Sequence, residues 1–282
     1  YEEIERVVRV VVGQGITKIR LTGGEPLLRR DVPKLVAKLA ALPIDDLALT
    51  TNGFHFAESA EELRAAGLRR VSFSLDSLDR DNFKKLTGRD GLKEVLAAIR
   101  QARDLGFDPV KVNAVVIRHL NDHEIEALAE FAHSEGLIFR FIEFMPLDSG
   151  RAWQKDHVVP GREILERLQS AFNLKSVKME NASATARRWS FADGSGEVGL
   201  ISPVSEPFCG QCNRIRLTSD GKIRTCLFSL REHDLKQLLR SEASDAEIIE
   251  WLKSVVLQKE ERHHIGEIDF EQPDRTMSAI GG

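Results

Sequence analysis

The chain has 282 residues, 42% apolar and 30% charged, with 40 basic against 44 acidic side chains and a formal net charge of −4. That length suits one large α/β domain or two smaller ones, and the composition is that of an ordinary soluble globular protein. The charge balance argues against a nucleic-acid binder. No apolar run approaches the roughly 18–20 residues that cross a membrane, and there is no signal peptide, so a cytoplasmic protein is expected.

The chain opens on Tyr1, not Met, and enters an amphipathic helix at once, with Ile4, Val7, Val8 and Val11 at i, i+3, i+4 and i+7. This start reads as a chain that has lost its N-terminus. β-rich runs follow at residues 18–22, 47–51, 70–75, 111–117 and 139–144. Helices alternate with them at 32–41, 59–66, 92–105 and 122–134. Asp31 and Asp122 stand as N-caps, and Gly67, Gly106 and Gly136 sit just past helix ends. Repeated βα units imply parallel strands joined by right-handed crossovers. Five such strands are too few for a closed eight-stranded barrel and fit a partial, open barrel or a doubly wound sheet. After Met145-Pro146 the pattern changes to a helix at 162–172, β-structure at 188–191 and 198–201, a hairpin, helices at 235–239 and 245–257, and a polar tail from Lys259. The change divides the chain into residues 1–149, an α/β unit, and 150–282, an α+β region.

The ends of the expected strands are polar. They carry Arg20 and Gly23-Gly24-Glu25-Pro26, Thr50-Thr51-Asn52-Gly53, Ser72 to Ser77, Lys111 and Asn113, and Glu143-Phe144-Met145. In α/β barrels chemistry collects at the C-terminal ends of strands, and Arg20, Lys111 and Glu143 are charges inside otherwise apolar runs. A ring of these residues converging on one site is expected. Two adjacent glycines let the backbone approach a ligand closely.

All three cysteines lie within 18 residues, as Cys209, Cys212 and Cys226 in a C-x2-C-x13-C array. An odd, clustered set argues for a metal site over disulfides. Structural zinc wants a fourth ligand, for which His233, His263 and His264 are the nearest candidates downstream. A [4Fe–4S] cluster held by three cysteines leaves one iron open. Buried cysteines without metal are the third reading. Cys212, Arg214 and Arg216 share parity, so an extended strand turns them to one face beside an anion site. A two-residue turn at Asp220-Gly221 sets Cys226 opposite Ile215, about 10 Å from Cys212 on a regular ladder, so the strands must bend for all three thiols to meet.

Ile19-Arg20-Leu21-Thr22-Gly23-Gly24-Glu25-Pro26-Leu27-Leu28-Arg29 resembles a motif of the radical S-adenosylmethionine (SAM) superfamily. Leu49 to Gly53, Val71 to Asp76, Arg140 to Met145, the cysteine array followed by Asn213-Arg214-Ile215-Arg216, and the final Gly281-Gly282 extend the likeness along essentially the whole chain. Together they resemble the molybdenum cofactor biosynthesis protein A family, the GTP 3′,8-cyclases, which are lyases. The resemblance implies a partial (βα)6 TIM-like barrel closed by a C-terminal α+β region with an auxiliary [4Fe–4S] cluster on Cys209, Cys212 and Cys226, whose open iron binds GTP through its base. It implies GTP contacts from Arg20, Thr50, Lys111, Arg214, Ile215 and Arg216. It places Gly23, Gly24, Glu25, Ser74 and Met145 in the SAM pocket, and Gly281 and Gly282 in the active site. The implied reaction is hydrogen abstraction from the GTP ribose C3′ followed by attack on guanine C8, giving 3′,8-cyclo-7,8-dihydro-GTP. The implied partners are an external electron donor and the downstream cyclic pyranopterin synthase, and a homodimer is compatible with the family. The family's SAM-cleaving cluster sits on a C-x3-C-x2-C motif that these residues lack. It is expected upstream of Tyr1, and the 282 residues alone are expected to be inactive. Two rivals remain: a peptide-modifying radical SAM enzyme, and a non-catalytic nucleotide-binding protein with a structural zinc.

Overall fold

In the computed structural model, which describes residues 1–148, 150–179 and 181–281, the first half runs α1 (Glu2–Val12), β1 (Lys18–Leu21), α2 (Val32–Ala40), β2 (Asp46–Thr51), α3 (Phe56–Ala65), β3 (Arg70–Ser74), α4 (Arg80–Thr87), α5 (Leu92–Asp104), β4 (Val110–Val116), α6 (Ile125–Glu135) and β5 (Ile138–Glu143). The second half runs α7 (Gly161–Ala171), β6 (Leu174–Val177), β7 (Arg187–Phe191), β8 (Glu197–Ile201), β9 (Arg216–Leu217), β10 (Lys222–Arg224), β11 (His233–Asp234), α8 (Leu235–Leu239), α9 (Asp245–Val256) and α10 (Met277–Ile280). Among the described residues no helix is long and apolar enough to cross a membrane.

One eight-stranded sheet has the order β1-β2-β3-β4-β5-β8-β7-β6. The first five strands pair in parallel in sequence order, without the reversal a doubly wound sheet requires, which decides for the open partial barrel. A sixth parallel strand, β8, pairs with β5, and β7 and β6 extend the sheet antiparallel. The sheet and its core thus continue across the pattern change at residue 149: Ile164, Leu168, Trp189, Phe191, Val198 and Leu200 belong to the same cluster as Leu49, Phe73 and Phe139. A separate three-stranded sheet, β11-β10-β9, carries the cysteine hairpin.

Strand parity separates two environments. In β4 and β5 alternate residues are fully buried: Val112, Ala114 and Val116, then Phe139 and Phe141, lie under the helices. The opposite parity faces the barrel interior and is polar, with Arg20, Thr50, Ser72, Lys111, Asn113 and Arg140 in adjoining registers. Both faces of a parallel sheet are usually apolar, so a polar inner face marks a working cavity.

Several local expectations change. Asp31 precedes α2 in a left-handed conformation (φ 62°) and makes no cap hydrogen bond, because a capping side chain needs extended backbone; it pairs with Lys34 at 3.2 Å instead. Asp122 opens a 3-10 turn before α6 and accepts from the His119 N–H. Gly67, Gly106 and Gly136 do take positive φ after their helices. The short, polar α4 was not apparent from apolar periodicity; its signal is Asp79, which caps the Asn82 N–H.

Glu143 requires a larger correction. It shares the buried parity of Phe139 and Phe141 and so points away from the interior. Its carboxylate accepts from the N–H groups of Gly161 (2.8 Å), Val204 (2.8 Å) and Ser205 (2.9 Å) and from the Ser205 hydroxyl. It ties the end of β5 to the start of α7 and to the loop after β8. Glu143→Ala strands these donors without an acceptor and is expected to cost about 3 kcal/mol in urea unfolding, with ligand affinity of the folded fraction unchanged.

Candidate active site

Arg20 donates to Thr50 Oγ1 at 3.0 Å and to Ser72 Oγ at 3.3 Å, and Arg140 donates to the same Ser72 oxygen at 3.2 Å. Lys111 is the register partner of Ser72. Two other cations of this face have acids, Arg70 with Asp46 and Arg188 with Glu197. Among the described residues, Arg20, Lys111 and Arg140 have no carboxylate within ion-pair distance, and Arg140 Nε and Asn113 Oδ1 are buried without any partner. The cost shows in their acidities. Lys111 is pushed down to about 7 by burial and by repulsion from Arg140, Arg70, Arg20 and Arg188. Arg140 is pushed down to about 9 by burial and by Arg20 and Arg70. Arg20 is lowered by burial and Arg70, with Asp46 opposing, although part of its side chain reaches solvent. Unpaired guanidiniums held by neutral hydroxyls form an anion receptor. Arg140 was missed in the sequence, although a charge at alternate parity from Phe139 and Phe141 is its signal.

The loop after β1 is fixed by Glu25. Its carboxylate accepts from Leu27 N–H (3.0 Å), Thr51 Oγ1 (2.8 Å) and Asn52 N–H (2.6 Å), so the acid holds the loop against the end of β2. Gly23, half-buried at φ 152°, and Gly24, exposed, form the backbone edge of the loop. Ser74 is exposed at the end of β3. Two residues on, the Asp76 carboxyl is pushed up to about 6 by burial, against the Val115 N–H it accepts.

The C-terminal tail crosses this mouth. A Cβ on Gly24 would lie 3.7 Å from the Ser278 carbonyl, and one on Gly281 3.1 Å from Thr22. Arg216 Nε donates to the Gly281 carbonyl at 3.4 Å, and Met277 N–H to the Leu147 carbonyl. Met145 packs with Leu147, Phe228, Met277 and Ile280. Arg275 secures the strap from outside, donating to both oxygens of Asp220 (2.9 and 2.7 Å) and to Glu232 (2.9 Å). Gly282 lies outside the described residues.

In the hairpin, Ile223 pairs with Leu217 and Arg224 with Arg216. The turn therefore spans three residues, Ser219-Asp220-Gly221, closed by Thr218 and Lys222, and the expected register moves by one. Continued, it sets Cys226 opposite Arg214, on the parity of Cys212, though the ladder stops at Arg216. Cys209 opens a 3-10 turn that folds back to Cys212. All three thiols are free and half-buried. Burial alone would raise the Cys212 thiol, but the Arg214 N–H, the Arg214 charge and Lys259 bring it below its ordinary value. Burial holds Cys226 up, against the Phe228 N–H. Arg216 is lowered by burial and Arg214, and supported by Cys226 and Cys212. Arg214 lies 5.4 Å from the Phe208 ring and donates to the Ser183 carbonyl at 3.2 Å, with Ile215 half-buried between the two arginines.

Among the described residues, the three-member His/Cys/Asp/Glu group with ligand atoms mutually within 4.8 Å is His264, Glu267 and Asp269, all exposed. The cysteines are spread more widely than the shell of one tetrahedral ion. His263 meets Phe228 edge-on and His233 meets Trp251 likewise, and neither completes such a shell with the thiols. Free thiols flanked by Arg214, Arg216 and Lys259 fit a larger anionic cluster.

Known proteins place these features in context. Residues 1–132 match the model of the Radical SAM superfamily and residues 137–265 that of Molybdenum Cofactor Synthesis C. The chain is 47% identical over 282 residues to "GTP 3′,8-cyclase" of Syntrophomonas wolfei, covering all of this chain and 86% of that one. It is 43% identical to the protein of that name from Rhodopirellula baltica (100% and 80%) and 44% identical to that from Mycolicibacterium smegmatis (99% and 79%). The crystal structure of Streptococcus suis SuiB superposes with a TM-score of 0.57 at 17% identity over 86% of this chain and 55% of that one, a likeness of fold.

Two outcomes follow from this geometry. Lys111 titrates near 7 when folded and 10.5 when unfolded, so between those values the unfolded chain binds the extra proton and stability rises with pH. Urea midpoints at pH 7 and pH 9 should differ less in Lys111→Met than in the parent chain. Arg275→Ala should release the strap, read as earlier proteolytic cleavage between residues 266 and 281 with the remaining chain intact.

Proposed function

Since this chain belongs to the GTP 3′,8-cyclase family of the radical SAM superfamily, we propose that it carries GTP through conversion to 3′,8-cyclo-7,8-dihydro-GTP, a step of molybdenum cofactor biosynthesis, in the cytoplasm. The observation that carries the reading is the meeting of three parts at one mouth. The unpaired cations Arg20, Lys111 and Arg140 line the interior, Gly23-Gly24 edge it, and Arg216 of the cysteine hairpin reaches the tail at Gly281, which lies against Thr22.

In this reading Cys209, Cys212 and Cys226 would hold a [4Fe–4S] cluster, which would supply a Lewis-acid ligation site for the substrate base. Arg20, Lys111 and Arg140 bind the triphosphate, and Thr50 and Ser72 keep the guanidiniums aimed at it. Arg214 and Arg216 orient the nucleotide at the hairpin, with Ile215 between them. The Gly23-Gly24 backbone, braced by Glu25, takes the polar end of SAM beside Ser74 and Met145. When bound, SAM and its reducing cluster supply the radical that removes the ribose C3′ hydrogen before C3′ joins guanine C8. That second cluster and the electron donor belong, in this reading, to cysteines outside the 282 residues and to a separate reductant; cyclic pyranopterin synthase takes the product. Gly281 closes the mouth and excludes water, and Gly282 is assigned to the active site by the family likeness alone.

The test is anaerobic reconstitution with iron and sulfide counted and GTP titrated. About four irons per chain are expected, with GTP affinity lost in Cys209→Ala. Arg20→Ala and Arg140→Ala should each weaken GTP on the order of tenfold or more and affect guanosine little. One zinc without iron, and GTP affinity indifferent to Cys209, would instead favour a non-catalytic nucleotide-binding protein.

A further inference from the structure

The β9–β10 ladder ends at Arg216 and Arg224, before it reaches the cysteines. Past that point the arms diverge: Cys226 enters a turn closed by the Ser229 N–H on its carbonyl, and residues 212–215 form no strand. The carbonyls of Arg214 and Thr225, on opposite arms, have lost their cross-strand donors. Both are taken by one group. Lys259 Nζ donates to the Arg214 carbonyl at 3.0 Å and to the Thr225 carbonyl. An ammonium carries three N–H donors, and with two on carbonyls the third remains for Cys212, whose thiol the nearby Lys259 helps bring below its ordinary value. We propose that Lys259 is the positioning residue of the three-cysteine centre, a cationic strut that replaces the missing ladder and sets the spacing of the Cys212 and Cys226 arms.

Three features separate this role from a surface lysine that happens to fold inward. Lys259 follows α9 through a turn fixed by Gln258 and Lys259 N–H groups on the Val255 and Val256 carbonyls. That helix is anchored through Ile248, Leu252 and Val255 in a core shared with Val7 and Val10 of α1, so the ammonium comes from a rigid platform. Among the described residues no carboxylate lies within ion-pair distance of Lys259. Its neighbour Glu260 accepts from Thr225 Oγ1 at 2.7 Å, so two successive residues grip the same arm. A positive charge and an N–H against a ligating sulfur favour the more negative, reduced form of a cluster, whereas the Glu260 charge near Cys226 opposes it.

The inference rests on the cluster assignment made above. The experiment compares the anaerobically reconstituted chain with Lys259→Met, which keeps the stem but no donor, Lys259→Arg, which keeps charge and donors, and Glu260→Gln. Readouts are iron per chain, the rate of iron loss to a chelator, and the midpoint potential from an EPR-monitored titration. Expected for Lys259→Met is iron loss faster by on the order of tenfold and a more negative potential, both largely restored in Lys259→Arg. Glu260→Gln should move the potential the other way. Lys259→Met matching the parent in both readouts overturns the proposal. So does a Lys259→Arg variant as defective as Lys259→Met at unchanged potential. If Lys259→Met fails to fold, the sign of the Glu260→Gln shift and the Lys259→Arg values decide. A parent chain that takes up zinc and no iron removes the cluster assignment itself, a different failure from four irons held indifferently to Lys259.

Discussion

Positive charge without a counter-charge inside the barrel is the constraint on which the rest of the molecule depends. Arg20, Lys111 and Arg140 lie on one inner face, Arg20 and Arg140 share the Ser72 hydroxyl, and burial together with repulsion from neighbouring cations lowers the pKa values of all three. Such a cluster opposes folding unless the surrounding frame is well fastened. The fastening is visible on the other face of the same strands. Leu49, Phe73, Val112, Phe139 and Phe141 are fully buried beneath the helices, each contributing about 1.5–3 kcal/mol of apolar burial. Period-two alternation lets a short strand serve both purposes: one parity secures the fold while the other is given to an anion.

Buried carboxylates perform the complementary task of fixing loops. Glu25 holds the glycine loop to β2. Glu124 collects Ser77, the Leu78 and Asp79 N–H groups and Asn82 behind the loop after β3, and Glu143 gathers the segments after β5 and β8. Each acid accepts several donors where irregular backbone would otherwise bury them unpaired. The acids therefore build the rim of the cavity while the cations line it, and the two signs of charge rarely meet.

Much of this was legible in the sequence because it rests on local physics. The five strands and the helices between them announce themselves by periodicity, and the hairpin by Thr218 to Gly221. The misreadings have particular causes. Glu143 was grouped with Arg20 and Lys111 because a charge in an apolar strand is conspicuous; counting parity from Phe139 and Phe141 would have sent it to the opposite face and brought in Arg140. The hairpin register slipped by one because Asp-Gly suggests a two-residue turn, whereas Thr218 Oγ1 receives the Lys222 N–H and widens it to three. The sixth parallel strand was expected as β-structure at 198–201, and the family likeness implied six βα units, but its place could not be read from periodicity, since β8 reaches β5 by tertiary pairing across α7, β6 and β7. Lys259 stands 33 positions beyond Cys226, and no motif spacing links a lysine to thiols it meets only through the packing of α9 on α1.

The strap over the mouth has a consequence for inheritance. Met277 to Gly281 leave the ribosome after every strand and larger helix they touch, when the barrel core and the core between α1 and α9 have all their residues and the third lacks only Met277 and Ile280. A premature stop codon just before Met277 would thus spare the barrel core and the core between α1 and α9, and remove the part that crosses the mouth together with its small third core. Truncations near a C-terminus are commonly excused as trimming. In this protein a reading frame cut just before Met277 is a lesion of the site, carried by a molecule whose barrel core is complete.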